Sequence, residues 1–452
     1  MMLPATPDQS DRHPAELLQR LIRFDTTNPP GNEGECISYI QGLLHAAGVE
    51  TQILAQSPQR PNLLARLAGQ GNVAPLLLYG HVDVVTTAHQ SWSYPPFDGT
   101  LADGYIWGRG ALDMKGGVAM LLAAFLRAKA AGVALPGDVV LAILADEEAS
   151  GTFGARYLVE QHAPLFAGIR YAIGEFGGFA LHIGGRRFYP IMVAEKQTCA
   201  MRAIVRGPGG HGALPLRGGA MAQLGRLLQR LDRRRLPVHI TPVVRHMCES
   251  IAAELSFPTG VLLRQLLSPA RTDAVLRLMG ARGQVFEPLL HNTVNPTIVR
   301  GGDKINVIPS EIVLELDGRL LPGYGPADML AELRAIAGPA VELEVSLYEP
   351  GPVAPDLGLF GTLADILRAA DPTGTPVPLL LSGVTDGRFF TRLGIQTYGF
   401  LPMNLPPDFN FVQTIHAADE RIPVAALDFG TNAIYILLRR FGENMMPGVP
   451  LD

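Results

Sequence analysis

The sequence predicts an α/β fold with a central sheet, interrupted by an inserted β-α-β-β-α-β module, and three observations predict it. Helical periodicity alternates with short apolar runs in the first third of the chain. The texture changes near residue 193 to strand, helix, strand, strand, helix, strand. After about residue 353 the first texture returns. Amphipathic stretches alternating with buried strands are the pattern of helices packed on a sheet.

PAELLQRLIRF and GECISYIQGLLHAAG carry apolar residues at helical spacing, whereas APLLLYGHVDVV and GDVVLAILADEE are apolar runs of strand length. Both runs end in polar residues, and open α/β sheets bind ligands beyond the carboxyl ends of their strands. From residue 193 the elements are TCAMRAIVRG (strand), AMAQLGRLLQRL (helix), HNTVNPTIVRGG and EIVLELDGRLLPG (strands), ADMLAELRAIAG (helix) and VELEVSLYEPG (strand). That order is ferredoxin-like, broken by an apolar-rich helical stretch at about 236–290. The last part reads as a helix (LFGTLADILRAAD), a loop (LSGVTDGRFF) and a final helix (VAALDFGTNAIYILLRRF). The expected organisation is a discontinuous first domain, 1–192 and 353–452, with a second domain, 193–352, inserted. There is no internal repeat and no low-complexity tract.

Composition narrows the function classes. A chain of 452 residues exceeds the size at which single cores stop growing, so two domains are expected. A net charge of −5 is too small to capture nucleic acid or acidic membranes, so neither is an expected partner and a small substrate is. The three cysteines, Cys36, Cys199 and Cys248, are odd in number and far apart, which fits neither a disulfide framework nor a thiolate zinc site. The first 26 residues carry charges throughout and lack a signal peptide's apolar stretch, so a cytoplasmic location is expected. Runs such as PLLLYG are too short to cross a bilayer.

The chemistry sits in five places. LLLYGHVDVV puts His81 and Asp83 two residues apart at a strand end, so both side chains point to one side. One can bind a metal while the other orients it, although His-x-Asp alone is more often a capped or surface histidine. GRGALDMKGG sets Asp113 among glycines, where backbone can be drawn around an ion, as it can in any turn. ILADEEASG ends an apolar strand in Asp146, Glu147 and Glu148. Carboxylates that close repel unless a cation neutralises them or water solvates the strand end. YAIGEFGG repeats the arrangement with Glu175, and TIHAADERI supplies His416 followed by acids. Two imidazoles with several carboxylates and no thiolate suit zinc, manganese or cobalt rather than calcium or magnesium.

In these blocks the sequence resembles the cocatalytic zinc metallopeptidases, the family of aminoacylase, acetylornithine deacetylase, succinyl-diaminopimelate desuccinylase and glutamate carboxypeptidase. The resemblance runs nearly the whole length, from LLQRLIRFDTTNPPGNE through GHVDVV, WSYPPFDGTLADGYIWGRGALDMKGG, ADEEASGTFGARYL, IGEFGG, GPGGHGALP, KINVIPS and SGVTDGRFF to IHAADE. It implies a zinc-peptidase-like catalytic domain with a central mixed sheet, plus an inserted ferredoxin-like dimerisation domain, and hence a homodimer. It also implies two Zn2+ per chain, with Co2+ or Mn2+ as substitutes. Asp113 would bridge the pair, His81 and Glu175 completing one site and Glu148 and His416 the other, with Asp83 behind His81. The Asp113–Met114 peptide is expected to be cis.

From that likeness follows a metal-dependent hydrolase, an exopeptidase, carboxypeptidase or N-acyl-amino-acid deacylase. It would cut an amide beside a free carboxylate in an N-acyl amino acid or short peptide. Two divalent ions offset by Asp113, Glu148 and Glu175 leave a positive site that brings the pKa of a bridging water toward about 7, and Glu147 is the general base. His211 in GPGGHGALP is expected to stabilise the developing oxyanion; a turn histidine with a local hydrogen bond is the plainer alternative. Arg388 and Asn306 are candidates for the substrate carboxylate, which a guanidinium pairs bidentately, although an ion pair of Arg388 with Asp386 would serve structure instead. Glu at position 175 tilts the expectation toward a deacylase. The 236–290 stretch could line an acyl pocket, or serve packing or a dimer surface. The contrasting possibilities are an inactive relative that binds amino-acid conjugates and an oligomerisation protein.

Overall fold

The structure, a computed structural model, describes residues 13–443 and divides into two compact units. The first runs to Val193 and resumes at Asp356–Leu379 and from Thr385; the second comprises Ala194–Pro355 and Leu380–Val384. The expected breaks were 192/193 and 352/353; the short return at 380–384 had no counterpart in the sequence reading.

The first unit is built on a nine-stranded mixed sheet. Its middle is parallel: Val139–Leu144, Leu76–His81, Tyr171–Gly174 and Gln396–Gly399 lie side by side in that order. Pro61–Leu67 and Thr51–Ala55 extend one side antiparallel, and Arg186–Glu195 begins the antiparallel continuation on the other. Every residue of Leu76–His81 and of Val139–Leu144 is buried, which explains apolar runs without alternation. Each Leu, Val or Ile side chain among them contributes roughly 1.5–3 kcal/mol by leaving water.

The helices Pro14–Ile22, Gly34–Ala46, Phe360–Ala370 and Val424–Arg440 fall on the four amphipathic stretches. Lys115–Ala130 is a further helix, and its buried residues lie on all its faces. A helix enclosed on every side has no polar stripe, so periodicity gives it no signature. The expected loop LSGVTDGRFF contains a four-residue helix, Gly387–Phe390.

The second unit contains the six elements of the ferredoxin-like order: Gln197–Arg206, Ala220–Arg233, Thr293–Arg300, Glu311–Leu320, Pro326–Ala337 and Val341–Glu349. Its four strands form an antiparallel sheet in which Glu311–Leu320 and Gln197–Arg206 are central. The core beneath them gathers Met201, Ala203, Val205, Leu224, Leu227, Leu314, Leu316, Met329 and Leu333. Helices at Pro242–Glu254, Thr259–Leu266, Pro269–Met279 and Glu287–Leu290 occupy the apolar stretch. Its far end is tied down by buried Lys196, whose ammonium donates to the His291 carbonyl at 2.9 Å and to Thr293 Oγ1 at 2.8 Å. Cys36, Cys199 and Cys248 are buried free thiols. Among the described residues no helix is long and apolar enough to cross a membrane.

Candidate metal centre

Three adjacent parallel strands end in the first unit's acid and imidazole groups. His81 is the last residue of Leu76–His81, Asp146 to Glu148 follow Val139–Leu144, and Glu175 follows Tyr171–Gly174. Parallel pairing aligns these carboxyl ends, so residues distant in sequence come together.

Asp113 enters on the turn before Lys115–Ala130, and its peptide to Met114 is cis. Gly116 makes that turn possible, because a Cβ there would lie 2.1 Å from the Ala111 carbonyl oxygen. His416 comes from a loop after Phe411–Thr414 and sits at φ 61°. That left-handed conformation is uncommon for a residue with a side chain, and such residues cluster at functional sites.

The resulting geometry is two triads that share one carboxylate. His81 Nε2 lies 3.3 Å from Asp113 Oδ1 and 3.6 Å from Glu175 Oε2. His416 Nε2 lies 3.2 Å from Asp113 Oδ2 and 3.3 Å from Glu148 Oε1. The two oxygens of Asp113 thus face two different imidazoles. Within each triad, His81–Asp113–Glu175 and Asp113–Glu148–His416, the donor atoms lie within 4.8 Å of one another.

The donors fit a divalent ion. His81 Nε2 and Glu148 Oε1 are buried and make no hydrogen bond among the described residues, although buried polar atoms normally find a partner. The imidazole and carboxylate set matches zinc, manganese or cobalt. Charge tells the same story. Burial raises the carboxyls of Glu148 and Glu175 above the ordinary range, and burial followed by the Glu175 charge pushes Glu147 well above it. Asp113 and Glu148 draw the His416 imidazole up to about 10, so the cluster recruits positive charge from the groups within reach.

Asp83 stands behind His81. Its carbonyl is 3.0 Å and its Oδ1 3.4 Å from His81 Nδ1, and its carboxylate accepts the backbone N–H groups of Glu147 and Glu148, each at 3.1 Å. Glu147 belongs to neither triad. Its carboxylate is 4.0 Å from His81 Nε2 and 3.8 Å from Arg388 Nη1. Arg388 donates to the Thr385 and Ser150 carbonyls and lies over the Phe389 ring. The nearby Asp386 carboxyl is buried and thereby pushed up to about 8.

His211 and Asn306 lie in the second unit, where the two-residue strands Gly210–His211 and Val307–Ile308 pair and the Gly212 N–H donates to the Asn306 carbonyl. Both side chains are exposed. His211 Nδ1 accepts the Ala213 N–H at 3.1 Å, the local bond of the plainer alternative.

Sequence reasoning missed a second support. Glu420 is fully buried and accepts the N–H groups of Leu112 and Asp113 and a 2.6 Å bond from Arg109 Nη1. Arg109 also donates to Gln90, and both reach the His416 carbonyl. One acid therefore fixes the Asp113 turn and, through Arg109, the His416 loop. Its signal was the acid pair closing HAADE, which reads like any solvated loop.

The family model "Peptidase family M20/M25/M40" matches residues 77–440. Succinyl-diaminopimelate desuccinylase of Methylobacterium sp. (strain 4-46) is 30% identical, covering 99% of this chain and 98% of that protein. Human N-fatty-acyl-amino acid synthase/hydrolase PM20D1 is 28% identical over 83% of this chain and 76% of its own. Among solved structures, human carnosine dipeptidase 1 superposes with a TM-score of 0.68 at 16% identity, over 96% of this chain and 97% of that one.

Proposed function

The chain belongs to peptidase family M20/M25/M40 and is a metal-dependent amide hydrolase of the metallopeptidase and amidohydrolase type; from that premise we propose that it removes the acyl or aminoacyl group from an N-acyl amino acid or short peptide at the amide beside a free carboxylate. The observation that carries the site assignment is Asp113, whose two oxygens face His81 on one side and His416 on the other. Asp113 would hold both members of a zinc pair, with His81 and Glu175 completing one position and Glu148 and His416 the other. Such a pair supplies Lewis acidity to the amide carbonyl and brings the pKa of water toward about 7.

The protein's own groups do the rest. Asp83 fixes the tautomer and plane of His81 through Nδ1. Glu147, free of both triads, takes the proton of the attacking water at its carboxylate and returns it to the departing amine nitrogen. Burial and the Glu175 charge raise its pKa, which suits a proton carrier, and the divalent charge acts in the opposite direction. We assign Arg388 and Asn306 to the substrate carboxylate and His211 to the oxyanion. The donors Arg388 spends on Thr385 and Ser150 give it, in addition, a hold on the Asp146–Gly151 loop.

The substrate is supported from two sides: one relative is named as acting on N-fatty-acyl amino acids and another as a desuccinylase, and Glu occupies position 175. We assign the two compact units to catalytic and dimerisation domains and the working form to a cytoplasmic homodimer. In the second unit Thr293–Arg300 is an edge strand, with Ile298 46% and Val299 52% exposed, a surface that pairing with a second copy would cover. Sedimentation equilibrium should give twice the 48.5 kDa chain mass, and a concentration-independent single-chain mass would remove the dimer. The substrate class is tested by assaying purified protein, with and without added Zn2+, on a panel of N-acyl amino acids of increasing acyl length and on dipeptides. Zinc-dependent release of the free amino acid is the expected result; cleavage of dipeptides alone would narrow the proposal to its peptide side, and full metal occupancy with release from none of them would overturn it.

A further inference from the structure

Beneath the proposed metal ligands lies a buried polar network of which the reaction scheme uses only Asp83. The segment 26–28 runs along the strand end, with the Val84 N–H donating to the Thr26 carbonyl and the Asn28 N–H to the Val84 carbonyl. The Asn28 side chain, only 5% exposed, spends its amide nitrogen on two carboxylates at once: Asp83 Oδ2 at 2.9 Å and Asp146 Oδ1 at 3.0 Å. Behind it the Arg60 guanidinium bonds Glu33 through Nε and Nη2 at 2.7–3.0 Å and Asp146 Oδ1 at 3.0 Å. It also donates to the Pro30 carbonyl and lies over the Phe153 ring. Gly31 makes room for it, since a Cβ there would fall 2.1 Å from Arg60 Cζ.

Asp146 in turn shapes the loop it begins. It stands at φ 68°, its Oδ2 accepts the Phe153 N–H at 3.0 Å, and its carbonyl accepts the N–H groups of Ser150 and Gly151. Three buried carboxylates, Glu33, Asp83 and Asp146, thus meet one guanidinium and one amide. Close carboxylates repel, and the amide nitrogen that touches both Asp83 and Asp146 is the group that lets them approach. Asp83 is also the acceptor for the Glu147 and Glu148 N–H groups and the partner of His81.

We propose that Asn28, backed by Arg60 and Glu33, is a positioning residue for the reaction: by clamping Asp83 to Asp146 it fixes the Asp146–Glu148 turn, and with it the reach of Glu147 toward His81 and of Glu148 toward His416. The inference rests on the roles proposed above for Glu147 and the metal ligands. Loss of an outer partner of a metal site typically lowers activity or metal affinity about 10–100-fold, and a displacement of about 1 Å can cost 10²-fold.

The test uses the full chain with Asn28→Ala, the near-isosteric Asn28→Asp, Arg60→Met and Arg60→Lys. Hydrogen exchange of the peptide spanning Asp146–Phe153 is measured on chelator-treated protein. On metal-loaded protein, kcat and KM are measured, together with the absorption spectrum of the Co2+ form. Expected are faster exchange in Asn28→Ala, a 10–100-fold lower kcat with KM within about threefold, a changed Co2+ spectrum, and partial recovery in Arg60→Lys relative to Arg60→Met. A folded Asn28→Ala with wild-type exchange overturns the clamp, and one with changed exchange but kcat within threefold of wild type overturns its role in the reaction. Wild-type protein that binds no metal and cleaves no amide overturns the functional reading and the role assigned to the clamp, while the exchange measurement still decides whether the clamp exists.

Discussion

Replacing Glu147 with Gln should lower kcat by about 10²–10⁴-fold while leaving the bound metal and KM nearly unchanged, the range a positioned general acid–base group typically contributes. Glu147 belongs to neither proposed ligand triad, and its backbone is pinned by Asp83. The amide keeps the size and most contacts of the carboxyl, so the turn should stand. What it cannot do is take a proton from water and return it to a leaving amine. Steady-state kinetics beside metal analysis checks this. A variant that retains more than about a tenth of the wild-type kcat would place the proton transfer elsewhere, with the buried Asp386 carboxyl the next group to examine.

The second large effect belongs to Asp113. Asp113→Ala removes a donor from both triads together, because Oδ1 faces His81 and Oδ2 faces His416. Turnover should fall well beyond the roughly 10–100-fold typical of outer partners, and metal should be lost from both positions. Glu175→Gln and His416→Ala, each confined to one triad, should each weaken one position and spare the other. Equal loss from all three variants would mean a single ion shared by the whole cluster.

Much of this was legible because the chemistry follows apolar runs. His81, Asp146 to Glu148 and Glu175 end or follow strands that are buried throughout, so the apolar runs marked both the sheet and the strand ends where the proposed ligands gather. The ferredoxin-like order could be read because helical and strand periods alternate there without ambiguity. The parts that escaped lack a local signal. Lys115–Ala130 is enclosed on all faces and shows no stripe, and Gly387–Phe390 is too short to show a period. Which strands pair is a matter of crossovers, and nothing within RLGIQTYGF announces that Gln396–Gly399 lies parallel beside Tyr171–Gly174.

The supporting network escaped for a different reason. Asn28 in TTNPPG, Glu33 and Glu420 have the look of turn and loop residues, and their burial becomes visible once the chain has brought Arg60 and Arg109 to them. The proposed ligand residues advertise themselves by clustering at strand ends, whereas the groups that support them are single polar residues whose partners are 27 or 311 positions away.

The central claim is a pair of metal positions joined by Asp113. Counting metal per chain by inductively coupled plasma mass spectrometry, after chelation and reloading with Zn2+, tests it most directly when wild type, Asp113→Ala and Glu175→Gln are compared at one free-metal concentration. The account predicts two ions in wild type, fewer than one in Asp113→Ala and about one in Glu175→Gln, with amide hydrolysis returning in wild type on reloading. A wild-type chain that saturates at a single ion with full activity, or an Asp113→Ala variant that still holds two, would contradict it.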